Sequence, residues 1–287
     1  MEQNKENIIT IDTDKAWNIL LERLESNHLL TTDRTEYISG RKRIILFQRL
    51  VAVAAVCIGI IFAGFYFSQK KDLSKISLQN KENSGTLVTT LEDGSTVYLA
   101  TDASISYPNA FTKAQRKVEL NGNALFCVAK DKRRPFIVMI NGMTIEVIGT
   151  IFAVQSSQEK PFELFVKQGK VNVHPGDNQN RISVEAGETV RLSNSRLIKS
   201  GITNSFVFDR YTEKICFKDE KLNNIVHAIN TMYGFPTVIT DESLNNRILT
   251  VTFEKNSVET MTELICMALN LEHINKQDTI FIRPFLK

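Results

Sequence analysis

Residues Phe136–Val154 read FIVMINGMTIEVIGTIFAV, and this stretch decides how the middle of the chain folds. Phe136, Val138 and Ile140 fall on every second residue, as do Ile145 with Val147 and then Phe152 with Val154, and Asn141-Gly142 separates the first two runs. An apolar side chain at every second position puts one face of an extended strand on a core. The same alternation surrounds this stretch on both sides, in Val97/Leu99, Val118/Leu120, Phe126/Val128, Phe162/Leu164/Val166, Val171/Val173, Ile182/Val184 and Val190/Leu192. Turn pairs punctuate it at Asp93-Gly94, Asn121-Gly122, Gln168-Gly169, Pro175-Gly176 and Ala186-Gly187. Ten short strands with one apolar face each predict an all-β body over residues 84–205. Sandwich, barrel and solenoid remain open, because periodicity alone does not choose among them.

The flanking segments have other characters. Residues 1–40 hold eight carboxylates against four cations, net −4, while Arg41, Lys42, Arg43 and Arg49 add +4 within the next nine positions. Leu50–Phe67, LVAVAAVCIGIIFAGFYF, contains no charge. As a helix it would extend about 27 Å, near the hydrocarbon thickness of a bilayer. The expectation is a single membrane-spanning helix over residues 44–67. Basic residues before it and a large C-terminal part after it lead to the expectation of an N-terminus on the cytoplasmic side and a C-terminus on the far side. Residues 68–83 are polar and read as a linker.

In the acidic head, Thr13 or Asp14 is suited to cap a helix from about Lys15 to Ser26. Trp17, Leu20, Leu21 and Leu24 follow the i, i+3, i+4, i+7 spacing of one helical face. Forty residues with one Trp and a few Leu cannot enclose a core, so the stripe needs a surface to dock on. Acidic residues beside it (Asp14, Glu22, Glu25) suit a basic protein surface better than anionic lipid.

The last 82 residues, 206–287, change period again. Leu222, Ile225, Val226, Ile229 and Tyr233 share one helix face, and Val258, Met261, Ile265 and Leu269 share another. The two segments superpose at an offset of 36 residues: Phe217 on Phe253, Leu222 on Val258, Gly234 on Asn270. Gly and Asn close helices in the left-handed conformation. Each half therefore reads strand, helix, stop, strand, which makes a small α+β module of duplicated βαβ units.

Composition excludes other classes. Apolar residues at 43% and charged residues at 23% exclude a disordered chain, and 13 Gly with 6 Pro exclude a collagen-like one. Net charge of +3 gives no argument for direct nucleic-acid binding. The four His are dispersed, and there is no C-x-x-C, G-x-S-x-G or Walker-type loop, so neither a metal, a cofactor nor a catalytic site is expected. Cys127, between Phe126 and Val128, reads as a buried inert thiol. Cys216 and Cys266 could pair in an oxidising compartment. Lys130–Arg134 (KDKRR) reads first as a solvated turn and second as a contact patch.

An ordered series of motifs resembles the FecR family of membrane-spanning anti-sigma regulators: Leu91–Leu99 (LEDGSTVYL), Ser104–Pro108 (SISYP), Arg116–Gly122 (RKVELNG), Ala124–Val128 (ALFCV), Pro135–Val138 (PFIV) and Ile145–Val154 (IEVIGTIFAV). The tail resembles the C-terminal module of the Bacteroidetes branch, itself similar to the secretin and TonB short N-terminal domain. Ala16–Leu24 (AWNILLERL) resembles that branch's cytoplasmic segment. Asn123, Leu125, Ala153 and Ala186 depart from the family's usual Glu, aromatic, Asn and Pro.

The resemblance implies a bitopic inner-membrane protein that is not an enzyme. Its residues 1–43 would hold an extracytoplasmic-function sigma factor through Trp17, Leu20, Leu21 and Leu24. Its periplasmic body would meet the signalling domain of a TonB-dependent receptor, in this branch often SusC-like, and an intramembrane protease would free the head to regulate transcription of nutrient-uptake genes. The alternative is a bitopic envelope scaffold that docks secretin-like or transporter components without a transcriptional role. A membrane-stalked lectin would want a Trp in the strand region for stacking on sugars, and the single Trp is Trp17.

Overall fold

The computed structural model describes residues 12–27, 57–60, 62, 74–81, 85–156, 161–176, 181–201 and 206–285. The chain divides into two compact units, Met1–Asp72 and Leu73–Lys287.

In the first unit the head forms helix α1 (Thr13–Ser26). It begins two residues before the expected start because Asp12 is the cap: its Oδ1 accepts from the Lys15 amide at 3.2 Å. Asn27 closes the other end, its Nδ2 donating to the Arg23 carbonyl at 2.8 Å.

The expected membrane-spanning helix over residues 44–67 is not found among the described residues. Among the described residues no helix is long and apolar enough to cross a membrane. A crossing needs about 20 residues in one helix. Within Leu50–Phe67 only Cys57–Ile60 and Phe62 are described as helical, and the rest of that stretch lies outside the described residues.

The second unit is mostly strand. In chain order it runs β1 (Lys75–Gln79), β2 (Thr86–Thr90), β3 (Thr96–Leu99), β4 (Ser104–Pro108), β5 (Arg116–Asn121), β6 (Ala124–Cys127) and β7 (Phe136–Ile140). It continues through β8 (Met143–Val147), β9 (Ile151–Gln155), β10 (Glu163–Gln168), β11 (Lys170–Pro175), β12 (Ile182–Glu185), β13 (Glu188–Ser193) and β14 (Arg196–Gly201). Then come α2 (Phe206–Asp209), β15 (Lys214–Lys221), α3 (Leu222–Tyr233), β16 (Thr237–Ile239), β17 (Ile248–Glu254), α4 (Val258–Leu269), β18 (Leu271–Lys276) and β19 (Thr279–Pro284). The ten expected strands are present. Four more, β1, β2, β4 and β14, lie where the pattern is short or polar; β1 occupies part of the expected linker, with Leu78 packed on the core.

Two sheets face each other, which resolves the open architecture as a sandwich. One has the order β1-β4-β5-β7-β8-β11-β12, the other β14-β13-β10-β9-β6-β3-β2-β15-β17. The first core fills the gap between them. Val118, Leu120, Phe136, Val138, Ile145 and Val171 come from one side, and Val97, Leu99, Phe126, Phe152, Leu164 and Val190 from the other. Phe126 stacks on Phe152 (5.1 Å between centroids) and meets Phe136 edge-on.

The nine-stranded sheet is not a one-faced strand layer. Every residue of β3 and β6 is buried, and so are four of five in β9. The opposite side chains, Val88, Tyr98, Leu125, Cys127, Ala153 and Phe165, pack in a second core with α2, α3 and α4. The C-terminal segment thus shares its core with the sandwich, and β15 joins the sheet directly, pairing in parallel with β2 (Ile215↔Thr86, Phe217↔Val88). The 36-residue offset holds: α3 and α4 are both 12 residues long and end in the left-handed caps Gly234 (φ 68°) and Asn270 (φ 53°). Phe217 and Phe253, which the offset superposes, touch edge-to-face at 6.2 Å. A three-stranded sheet, β16-β19-β18, completes the layer.

Candidate functional site

The four head residues do share a face. On α1 the side chains of Trp17, Leu20, Leu21 and Leu24 fall within an arc of about 100°. Trp17 is 63% exposed, Leu20 46% and Leu21 39%, while Leu24 is half-buried. The helical spacing puts Asp14 and Glu25 along one border of this stripe, so an apolar strip and a carboxylate rim lie side by side. Such a surface can bury an aromatic anchor on a partner and steer the encounter by charge.

In the second unit the polar centre is Arg116, which sequence reasoning quoted only as part of a motif. It opens β5 on the same parity as Val118 and Leu120, so its side chain enters the sandwich, where it is fully buried. That parity is the signal that could have found it: a cation on the apolar side of a strand needs a built partner. All five guanidinium donors have one. Nη1 donates to Asp93 Oδ2 at 2.7 Å and to the Ala129 carbonyl at 2.8 Å. Nε donates to the Arg134 carbonyl at 2.9 Å, and Nη2 to those of Ile148 (3.3 Å) and Asp131 (3.5 Å). The guanidinium also lies over the Phe136 ring, 5.4 Å from its centroid.

Asp93 is equally enclosed. It accepts from the Ser95 hydroxyl (2.7 Å) and the Ser95 amide (3.1 Å), and Ser95 Oγ in turn accepts from the Ala129 amide. The Asp93-Gly94-Ser95 turn, Arg116 and the loop from Ala129 to Arg134 are therefore one network. A Cβ on Gly149 would come within 2.7 Å of the Lys130 Cα, so glycine permits the loop's close approach. At the loop tip Arg134 pairs with Asp131 at 2.9 Å, and that guanidinium, with two loop amides, holds the Asp131 carboxyl below its usual range.

Beside this network lies a cleft of about 680 Å³ between the sandwich-end loops and α3, lined in part by Gly94, Cys127, Thr150 and His227. Burial pushes the Cys127 thiol up to about 12, which keeps it protonated and unreactive. His227 Nε2 sits 3.2 Å from the Gly94 carbonyl. Among the described residues no group of three His, Cys, Asp or Glu could hold a metal. Cys216 and Cys266 are both free thiols.

Along the seam with the C-terminal layer, Tyr98 donates its hydroxyl to the Ala228 carbonyl at 3.1 Å, and burial raises its phenol well above the ordinary value. Glu220 accepts from the Thr90 amide and from Asn224. Two of the family departures are explained here: Leu125 and Ala153 are cross-strand partners, both fully buried under the C-terminal layer. Asn123 instead serves a turn, its Oδ1 accepting from the Ser156 amide at 2.9 Å.

Comparison with known proteins follows this architecture. The model described as FecR protein matches residues 81–172, and the one described as FecR, C-terminal, matches 214–282. No curated protein matches the chain. Two crystal structures of a candidate anti-sigma factor from Parabacteroides distasonis ATCC 8503 are similar. The first is 22% identical, covers 74% of this chain and all of its own, and has a TM-score of 0.45. The second is 22% identical, covers 75% of this chain and all of its own, and has a TM-score of 0.44. The first family match spans the Asp93–Arg116 network and the second spans the duplicated module that closes the second core: the chain belongs to the FecR family of anti-sigma-factor-like regulators.

Proposed function

We propose that the chain holds an extracytoplasmic-function sigma factor through α1 and answers to the signalling domain of a TonB-dependent receptor that contacts the second unit. The observation that carries this reading is the exposed Trp17/Leu20/Leu21 stripe on a capped acidic helix, in a chain of an anti-sigma-factor family. Burying Trp17 and three Leu supplies roughly 1.5–3 kcal/mol each before ordering costs. The carboxylates beside the stripe would face Lys and Arg on the sigma factor that otherwise meet DNA phosphates. The head then occupies the sigma factor until a signal received by the body releases it.

The test is co-purification of the full chain with the sigma factors of its own cell, together with a reporter of sigma activity. Trp17→Ala should weaken capture by about 30-fold or more, as a central aromatic anchor does, and should release the reporter. Leu21→Ala should follow, and Lys15→Ala should match the wild type. Capture of no sigma factor, or equal capture by Trp17→Ala, would refute the reading.

A further inference from the structure

One end of the sandwich is strongly basic, and neither core uses those charges. The loop 109–115, the loop 128–135 and the start of β1 meet there. β5 and β7 begin side by side (Arg116↔Phe136), β4 ends beside the start of β1 (Lys75↔Pro108), and the Asn109 amide donates to the Ser74 carbonyl at 3.0 Å. Lys113, Lys117, Lys130, Lys132 and Arg133 are all exposed at this end. None of the five forms an ion pair among the described residues.

The nearby acids are largely spent. Asp93 is buried on Arg116, Asp131 is held by Arg134, and Glu119 pairs with Lys75. Glu92 is exposed and accepts from the Phe111 amide. Lys113, Arg133 and Arg134 also wall a hollow of about 500 Å³ together with Asp131. Arg116 and the close approach at Gly149 fix the loop backbone, so its charges are presented without an ordering cost.

We propose that this basic end rests on an anionic lipid surface, with phosphate headgroups meeting Lys113, Lys132 and Arg133. The cations are spread over two loops, Lys113 on one and Lys130, Lys132 and Arg133 on the other, which suits a plane of phosphates; an acidic peptide strand would want a free strand edge with main-chain partners.

Both cores consist of residues after Leu73, so the unit 73–287 carries what it needs to fold and can be tested without the apolar run. Co-sedimentation with vesicles of one part phosphatidylglycerol to two parts phosphatidylcholine should capture it, pure phosphatidylcholine should not, and high salt should abolish capture. Each cation near such a surface is worth about fivefold, so the triple variant Lys113→Ser, Lys132→Ser, Arg133→Ser should bind about 10²-fold more weakly. The triple variant Arg196→Ser, Arg210→Ser, Lys214→Ser removes the same charge from the opposite end and should bind within about twofold of wild type. Equal capture by neutral vesicles, or full binding by the first triple variant, would overturn the proposal. Binding to poly-glutamate as tight as to the anionic vesicles would assign the patch to an acidic protein instead.

Discussion

The two sheets of the sandwich present outward faces that look alike in strand geometry and differ in everything else. On the seven-stranded sheet, β5 alternates strictly, with Lys117, Glu119 and Asn121 pointing out. On the nine-stranded sheet the corresponding outward residues of β3, β6 and β9 are Tyr98, Leu125, Cys127 and Ala153, all buried under the C-terminal layer. The sheet exposed on one side is written as alternation, and the sheet covered on both sides as a continuous apolar run, as ALFC and IFAV are. The difference makes the second sheet the middle of three layers, and it makes the C-terminal helices part of the sandwich's own stability.

The largest effect should come from placing a carboxylate on each outward face. Leu125→Asp would bury an unpaired charge against the C-terminal layer and should cost about 5 kcal/mol or more. Lys117→Asp points outward from the other sheet and should stay within about 0.5 kcal/mol of wild type. Urea unfolding of the 73–287 unit measures both. A cost for Leu125→Asp under about 1 kcal/mol would mean that the second core does not cover this face.

The same contrast explains how much could be read from the residues. Strands such as Phe136–Ile140 and Val171–Val173 were legible because one apolar face and one wet face give period two. The duplicated helices were legible from the 36-residue offset and from Gly234 and Asn270. The shared core was not: Phe126 with Val128 looks like ordinary alternation until Leu125 and Cys127 are counted too. Nor was the parallel addition of β15 to β2, since strand pairing between residues 129 positions apart leaves no local mark. In the head, the stripe Trp17/Leu20/Leu21/Leu24 was legible from spacing, and the cap was misplaced by one or two positions because Asp12, Thr13 and Asp14 are all competent caps. Arg116 was legible in principle from its parity with Val118, but its partners lie on three separate loops.

That network gives the next largest effect. Replacing Arg116 with Met should cost about 3–5 kcal/mol, because Asp93 is left as a buried charge without its cation. Asp93→Asn should cost a comparable amount. The double variant should cost clearly less than the two together, since neither leaves an uncompensated charge once both are gone. A strictly additive cycle would show that the pair is not coupled and that the loop Ala129–Arg134 is held by other means.

The smallest effect sharpens the comparison at one atom. Tyr98 points outward from β3, as Lys117 does from β5, but its hydroxyl ends on the Ala228 carbonyl inside α3. Tyr98→Phe keeps the ring and its packing and removes one neutral hydrogen bond, so it should cost about 1 kcal/mol. Burial raises the phenol pKa in the folded state, so the folded form disfavours the anion. The stability Tyr98 contributes is therefore fully present below the unfolded-state pKa of about 10 and is lost as pH rises above it. Wild type should lose stability above about pH 10 at up to about 1.4 kcal/mol per pH unit more than Tyr98→Phe does. Unfolding curves of the two proteins between neutral and alkaline pH measure the difference. Parallel curves would mean that Tyr98 reaches solvent and that the C-terminal layer lifts from β3 without unfolding the sandwich.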